Sequence, residues 1–490
     1  MRWREPLRVT LCALLSAAVL TGRSQAEGSW STEFVGNGLW YNGSYGWGRA
    51  VAWYDDRLFV GGGFDRAGGQ VANGIAAWNG TAWSPLGSGV WDAFNNDPGT
   101  VQAFLAHDGQ LFVGGSFTHA GGVQAQNLAK WYPPDHWLAA GNINGTVTCM
   151  TEYNGDLIVG GGFDHVDWDG EWLYTGNVAG LGPSGWYPIA GYGGSSGVID
   201  LAVWNGQLVA GGDFHGMQGN YDLDYLARWD GSTWSSFSAS GNDEIDGFVK
   251  AIVVFQGELY IGGSFWTIGG KPVEKMARWD GVEWQPVGEE VWSALILGSG
   301  VSSFAIYNGA LFVGGSFRLG APWWTDGIMR WDGASWSTCG AGLSNSALVI
   351  DLERVDDGVS EKLYAAGVFS LADGYIDSRG IAAWIETPVT AVAEAGVPRG
   401  VTLHPSSPNP FNAQTRVAFT LEEETWLKVD LLDVLGRLVA TLTEGLHGPG
   451  EQTFDWQGRD NRGNELPSGI YLLRLSSPAG AQLQKLVLAK

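Results

Sequence analysis

The side chains best equipped for chemistry lie between the apolar runs of this chain. Asp167, Asp169 and Glu171 alternate within the stretch DWDGEW, and Asp222 and Asp224 repeat that spacing farther on. Alternating carboxylates are the donors a hard cation such as calcium takes. Calcium is the one cofactor the residues suggest, although neither run completes a calcium loop. Opposed carboxylates would instead serve a glycosidase, one as acid and one as base or nucleophile, but nothing in the spacing opposes two of them. His119, His165 and His215 stand at similar places in successive segments, without the close spacing of a metal motif. The aromatic residues are more telling. Trp168, Trp172 and Tyr174 flank the acidic run, Tyr221 and Tyr225 follow, and Trp266, Trp323 and Trp324 come later. Trp40, Tyr41, Tyr45, Trp47, Trp91 and Trp292 belong with them. Rings beside acids suit stacking on sugars or holding a protein partner. Their other role would be local cover over loop backbone.

The elements that position these residues are repeats. LFVGGGF at 58–64 recurs as LFVGGSF, LIVGGGF, LVAGGDF, LYIGGSF, LFVGGSF and LYAAGVF, ending at Phe117, Phe163, Phe214, Phe265, Phe317 and Phe369. Each copy follows an apolar run and a tight turn such as Asn154-Gly155 or Asn308-Gly309, a pair suited to two-residue hairpins. The Gly-Gly pair lets backbones approach closely. A third strand ends in Trp78, Trp131, Trp229, Trp279, Trp331 or Trp384, with Leu181 in the third unit. A fourth carries Trp83, Trp137, Trp186, Trp234, Trp284 or Trp336. Tryptophan at fixed repeat positions is core, and the Asn-Gly and Asp-Gly pairs are turn chemistry.

Seven such units fit a propeller of four-stranded blades. The last unit stops after Trp384 without a fourth strand, whereas Ser29-Trp30-Ser31 resembles Ser335-Trp336-Ser337. Residues near 29–36 are therefore expected to complete the last blade and remove its open edges. The Gly-Gly pair with its paired aromatics resembles the kelch type of repeat, over about residues 29–385. The expected fold is all-β: a seven-bladed β-propeller closed by its N-terminal strand, then a small immunoglobulin-like sandwich. Propeller geometry places the segments after each GGxF and the links between blades on one face. Kelch-type propellers include copper oxidases, which need a Cys–Tyr pair and two axial histidines. Neither Cys149 nor Cys339 stands in such a cluster; both are expected to be small buried hydrophobes.

The N-terminus reads as a signal peptide over 1–26: Arg2, Arg4 and Arg8, an apolar run from Leu11 to Leu20, and Ser24-Gln25-Ala26 at the cut. That run is too short to span a bilayer, and no later segment qualifies. The net charge of −24 argues against nucleic acid and anionic membrane surfaces. A monomer is expected.

Residues 27–385 are assigned to the propeller and 386–400, with Pro388 and Pro398, to a linker. Residues 401–490 alternate as a small β-domain, with strands expected at Val417–Leu421, Trp426–Leu432, Phe454–Trp456, Ile470–Leu475 and Leu483–Leu488. Asn409-Pro410-Phe411-Asn412, Gly436-Arg437 after a strand, Gly469 and Tyr471 at the start of a late one, and Lys485 near the end follow in order. This order resembles the C-terminal sorting domain of type IX secretion substrates. The resemblance implies an export machinery as partner and release at, or attachment to, the cell surface. The functional expectation is a secreted or surface binding protein without catalysis, its loop face taking a glycan or protein. A secreted polysaccharide hydrolase or lyase is the alternative.

Overall fold

A computed structural model describes residues 28–386 and 401–489, apart from 190–196, 218–219, 221–222, 239–243, 322, 345–346, 359, 423, 433–437, 461–462 and 478–479. The chain is all-β with one helical turn, Glu289–Trp292, and the repeat region is propeller-like.

Every GGxF-type segment is the second strand of a four-stranded antiparallel array. In the first unit the order is Trp47–Tyr54, Arg57–Gly63, Ile75–Trp78 and Trp83–Pro85. Units beginning at Thr100–His107, Thr146–Tyr153, Val198–Trp204 and Val249–Phe255 repeat it as separate sheets. The arrays beginning at Leu295–Tyr307 and Leu348–Asp356 share one sheet, joined through the pair Ser316–Leu348. The first two strands turn at Asp108-Gly109, Asn154-Gly155, Asn205-Gly206 and Asn308-Gly309 with both residues at positive φ, the geometry that matches strand twist. Asp55-Asp56 and Gln256-Gly257 adopt the same turn without that signature.

The first strands lie side by side in a circuit, and Leu348–Asp356 returns to pack on Trp47–Tyr54. The last array is completed by Gly28–Trp30, which pairs antiparallel with Ile381–Glu386 in the register Trp30–Trp384. Residues 31–36, expected to share that strand, turn away instead. Trp30 behaves as the fourth-strand tryptophans do. Its ring meets Trp384 edge-on at 5.4 Å, close to the 5.2 Å of the more tilted Trp83–Trp78 pair. Its Nε1 donates to Cys339 O across the joint with the preceding unit, as Trp137 Nε1 donates to Leu86 O and Trp234 Nε1 to Ile189 O. Glu386, expected to open the linker, belongs to this strand. It is buried, with its carboxylate 3.1 Å from Arg330 Nε and its N–H donating to Tyr307 Oη.

The two glycines of each pair answer different crowding. At Gly114 a Cβ would stand 2.6 Å from Val147 Cγ1 of the next unit, and Gly211 meets Val249 in the same way. At Gly115 the Cβ would strike the Thr100 carbonyl of its own unit's first strand. Where the ring closes, Ala366 replaces the first glycine and Gly48 replaces the valine, so the space is shared in the opposite sense. Each first strand also bulges at a matching position, leaving Arg49, Gln102, Thr148, Ile199, Lys250, Ser302 and Ile350 out of register, and the sixth shifts twice more before it. The next position stitches units together. Asp200 Oδ2 accepts from Ile252 N at 2.7 Å, Asp351 Oδ2 from Val51 N at 2.8 Å, and Ser303 Oγ from Leu352 N at 3.0 Å. Cys149 and Cys339 are buried free thiols.

The C-terminal region forms two sheets around one core. Val401–Ser407, Thr415–Leu421 and Gly450–Trp456 make one; Leu438–His447, Thr425–Leu432, Gly469–Ser477 and Gly480–Leu488 make the other. Phe411, Phe419, Leu431, Trp456, Tyr471 and Leu473 are buried between them. Val401–Ser407 and Leu438–His447 were not among the expected strands; Pro405 and the threonine-rich ATLT run obscure their alternation. No helix among the described residues is long and apolar enough to cross a membrane.

Candidate functional site

The segments following each GGxF leave the array at the end opposite the Asn-Gly turns, as do the links between units. In five units they form short paired strands; in the fourth no strand is found among the described residues between Gly212 and Leu226. In the first unit Arg66–Ala67 and Gln70–Val71 form a ribbon that pairs with Leu39–Tyr41 and Ser44–Tyr45. In the second, His119–Ala120 and Val123–Gln124 join Val90–Asp92 and Asp97–Pro98. In the third, His165–Trp168 and Glu171–Tyr174 join Asn142–Ile143. Thr267–Ile268 with Lys271–Pro272, and Leu371–Ala372 with Ile376–Asp377, continue the tier.

This tier disperses the acidic run. Asp169-Gly170 is the hairpin turn, both residues at positive φ. Asp167 Oδ2 accepts from Asn142 Nδ2 at 3.0 Å and its Oδ1 from Gly170 N, while Glu171 is exposed on the returning strand. Among the described residues no three of His, Cys, Asp and Glu gather closely enough to hold a metal. The histidines are spent locally. His119 Nδ1 lies 2.9 Å from Thr118 Oγ1, His165 Nδ1 2.6 Å from Asp164, and His215 Nδ1 3.0 Å from Asp224. The hydrogen bond from His165 pulls the Asp164 carboxyl below its usual value. Other acids of the face tie its backbone down. Asp246 accepts from Trp266 N and Thr267 N, Asp213 from Gly197 N, and Asp373 from Ala341 N.

The aromatic residues divide. Trp172, Trp266 and Trp324 are half or more exposed, Trp324 at 63% and with φ +45°. Tyr174 is partly exposed, its ring 5.2 Å from His165. Tyr225 is half-buried against His215 and Phe248, and Trp323 leans on the core of its unit. Only the backbone of Trp168 is described, and Tyr221 lies outside the described residues. Trp292, expected to be free, is buried, with Nε1 donating to Val287 O. Trp40 is half-buried under the Arg379 guanidinium, 4.2 Å from its ring centre.

The two most exposed of the missed rings are Phe94 and Tyr375. Phe94, at 86% exposure, caps the turn between Val90–Asp92 and Asp97–Pro98, and Tyr375 caps the Leu371–Asp377 hairpin. Each stands among Asn, Asp and Gly, so an aromatic ring within a turn was the available signal. With Tyr45, Trp172, Trp266 and Trp324 they give one well-exposed ring from each of six units, all at the same end of the arrays. Neighbouring ribbons are tied where Tyr41 Oη donates to Asp97.

In the C-terminal region the motif residues have structural work. Asn409 Nδ2 donates to Lys485 O at 2.7 Å and its Oδ1 accepts from Val487 N at 2.8 Å; Phe411 N donates to Val487 O. The Asn409-Pro410-Phe411 segment, with a cis bond before Pro410, thus clasps the last strand. Asn412 is exposed, as is Lys485. Gly469 opens the penultimate strand, and Tyr471 is buried with its hydroxyl donating to Pro467 O. Gly436 and Arg437 lie outside the described residues.

Residues 407–480 match the FlgD Ig-like domain family, and residues 107–130 match a β-propeller domain of unknown function, DUF5122. A search of curated proteins finds no match. Among solved structures, PorZ of Porphyromonas gingivalis, a surface component of its type-IX secretion system, is 14% identical. The alignment covers 89% of this chain and 64% of that one, with a TM-score of 0.31. A fungal alcohol oxidase of the AA5 family, solved with copper, is also 14% identical, covering 95% and 100% at a TM-score of 0.40. FlgD from P. aeruginosa is 21% identical over 18% of this chain and 66% of its own, at 0.13. The chain therefore carries a propeller-like region followed by an FlgD-type immunoglobulin-like domain.

Proposed function

We propose that this is an exported, non-enzymatic binding protein: a seven-bladed, kelch-like propeller over 27–385, extended by Glu386, that offers its ribbon face to a glycan. Residues 1–26 would be the export signal, 387–400 the linker, and 401–490 a type IX sorting domain that hands the chain to the export machinery and the cell surface. One observation carries the binding reading. Six units each expose a large ring on the same face, and exposed apolar area of that kind marks an interaction surface. Flat rings spaced around a rim suit the apolar faces of several sugars in one chain. The acids between them mostly hold backbone in place, which favours binding over hydrolysis.

The test is a glycan-array screen of the purified protein with and without calcium, repeated on Trp172→Ala, Trp266→Ala and Trp324→Ala. Selective binding weakened in all three is the expected result. Binding that needs calcium would assign Asp167, Asp169 or Glu171 a part. No glycan bound in either condition would overturn the glycan reading in favour of a protein partner.

A further inference from the structure

Where the first strands converge, an axial cavity of 550 Å³ is lined by residues from every unit. That lies within the range of small-molecule sites, ~300–1,000 Å³. The bulges line it near the ribbon-face end of the strands, and they change what the wall presents. Arg49 and Lys250, bulged residues on separate units, are partly buried in it. Burial pushes both below their usual pKa values, and no carboxylate offsets the effect. Gln102 Oε1 is buried there without a hydrogen-bond partner. Asp200 and Asp351 also line the cavity, but each already accepts two backbone N–H groups. The cavity therefore holds two unpaired cations and an unsatisfied amide, an arrangement that costs free energy until something pairs with them.

We propose that the axial cavity binds a small hydroxylated carboxylate, the size of one acidic sugar, with the Arg49 guanidinium and Lys250 ammonium taking the negative charge. The planar fork of Arg49 matches a carboxylate. Gln102, Ser302 and Glu353 are placed on the wall to meet hydroxyls. The charge balance supports this near neutral pH. Burial, then Asp351, raises the Glu353 carboxyl to about 8; burial raises Asp200 to about 7 and Asp351 to about 6. The buried Cys149 thiol is pushed well up and stays neutral. Below pH 7 the two cations outweigh these acids; above pH 8 three carboxylates outnumber them. The net charge of −24 opposes an anion only at long range, since physiological salt screens beyond ~8 Å.

The experiment is calorimetric titration of the whole protein with glucuronate, glucose and inorganic phosphate at pH 6 and pH 9. Glucuronate is expected to bind at pH 6, weaken at least about tenfold at pH 9, and weaken about tenfold or more in Arg49→Met and in Lys250→Met. Both variants remove an unpaired cation, so thermal melting should show them folded and no less stable. Trp172→Ala and Trp324→Ala should leave the titration unchanged, separating this site from the ribbon face. Failure of glucuronate to bind at pH 6 would overturn the proposal. So would equal binding of glucose or phosphate, or undiminished binding when both cations are replaced.

Discussion

The contact between neighbouring units can be broken and partly restored at one pair. Replacing Gly114 by Ala places a methyl 2.6 Å from Val147 Cγ1 and 3.1 Å from its Cβ, inside the normal contact distance of carbon. Gly114 sits in a strand with an ordinary φ, so the cost is overpacking, about 1–3 kcal/mol. Val147→Ala removes two methyl groups from a fully buried site, at about 0.8 kcal/mol each plus a cavity contribution. The double variant relieves the worst approach and fills part of the space, so it should be less destabilised than the sum by about 1 kcal/mol or more. Independent sites add to within ~0.5 kcal/mol. The junction of Ala366 with Gly48 shows the chain using the same exchange at ring closure. Gly115→Ala is the control. Its methyl would meet the Thr100 carbonyl, which no side-chain change can move, so Val147→Ala should not rescue it. Denaturant midpoints for the four proteins of the cycle give the coupling. Additivity of Gly114→Ala and Val147→Ala, or equal rescue of Gly115→Ala, would refute the assignment of the two glycines to different neighbours.

Two further outcomes are expected. Asp200 is raised to about 7 by burial, so the folded protein holds this proton more tightly than the unfolded chain. Its contribution to stability is full below the ordinary carboxylate pKa and is lost as pH climbs from about 4 to 7. The loss is at most about 4 kcal/mol, and Asp200→Asn should flatten the fall in stability between pH 5 and 8; an unchanged profile would sink that account. Asn409→Ala deletes both bonds to the last strand, at about 1–3 kcal/mol, and should speed amide exchange at Val487, while equal exchange would show that Phe411 alone holds the strand.

The repeats were legible because their signals are local: period-two apolar runs, two-residue turns and a tryptophan at fixed offset. The closing strand was legible for the same reason, since Ser29-Trp30-Ser31 copies a fourth strand that its own unit lacks. The ribbons were not. Leu39–Tyr41 pairs with Arg66–Ala67 across an intervening hairpin, and strands of two or three residues carry no periodicity. Trp292 was misjudged and Phe94 was missed. Whether a ring between strands is covered depends on neighbours distant in sequence.

The bulges show the limit most clearly. Strict alternation would assign Arg49 and Lys250 by parity, and one extra residue per strand resets that parity where the units converge. The amino-acid sequence by itself determined the hairpins of the repeats, the strand that completes the last array, and an immunoglobulin-like domain to follow, because backbone hydrogen bonding and side-chain period act between near neighbours. The tertiary structure alone decided which rings face solvent, that the acidic run is dispersed on a hairpin, and that two cations share an axial cavity. The shared cavity is a property of convergence, set by packing between the first strands of successive units.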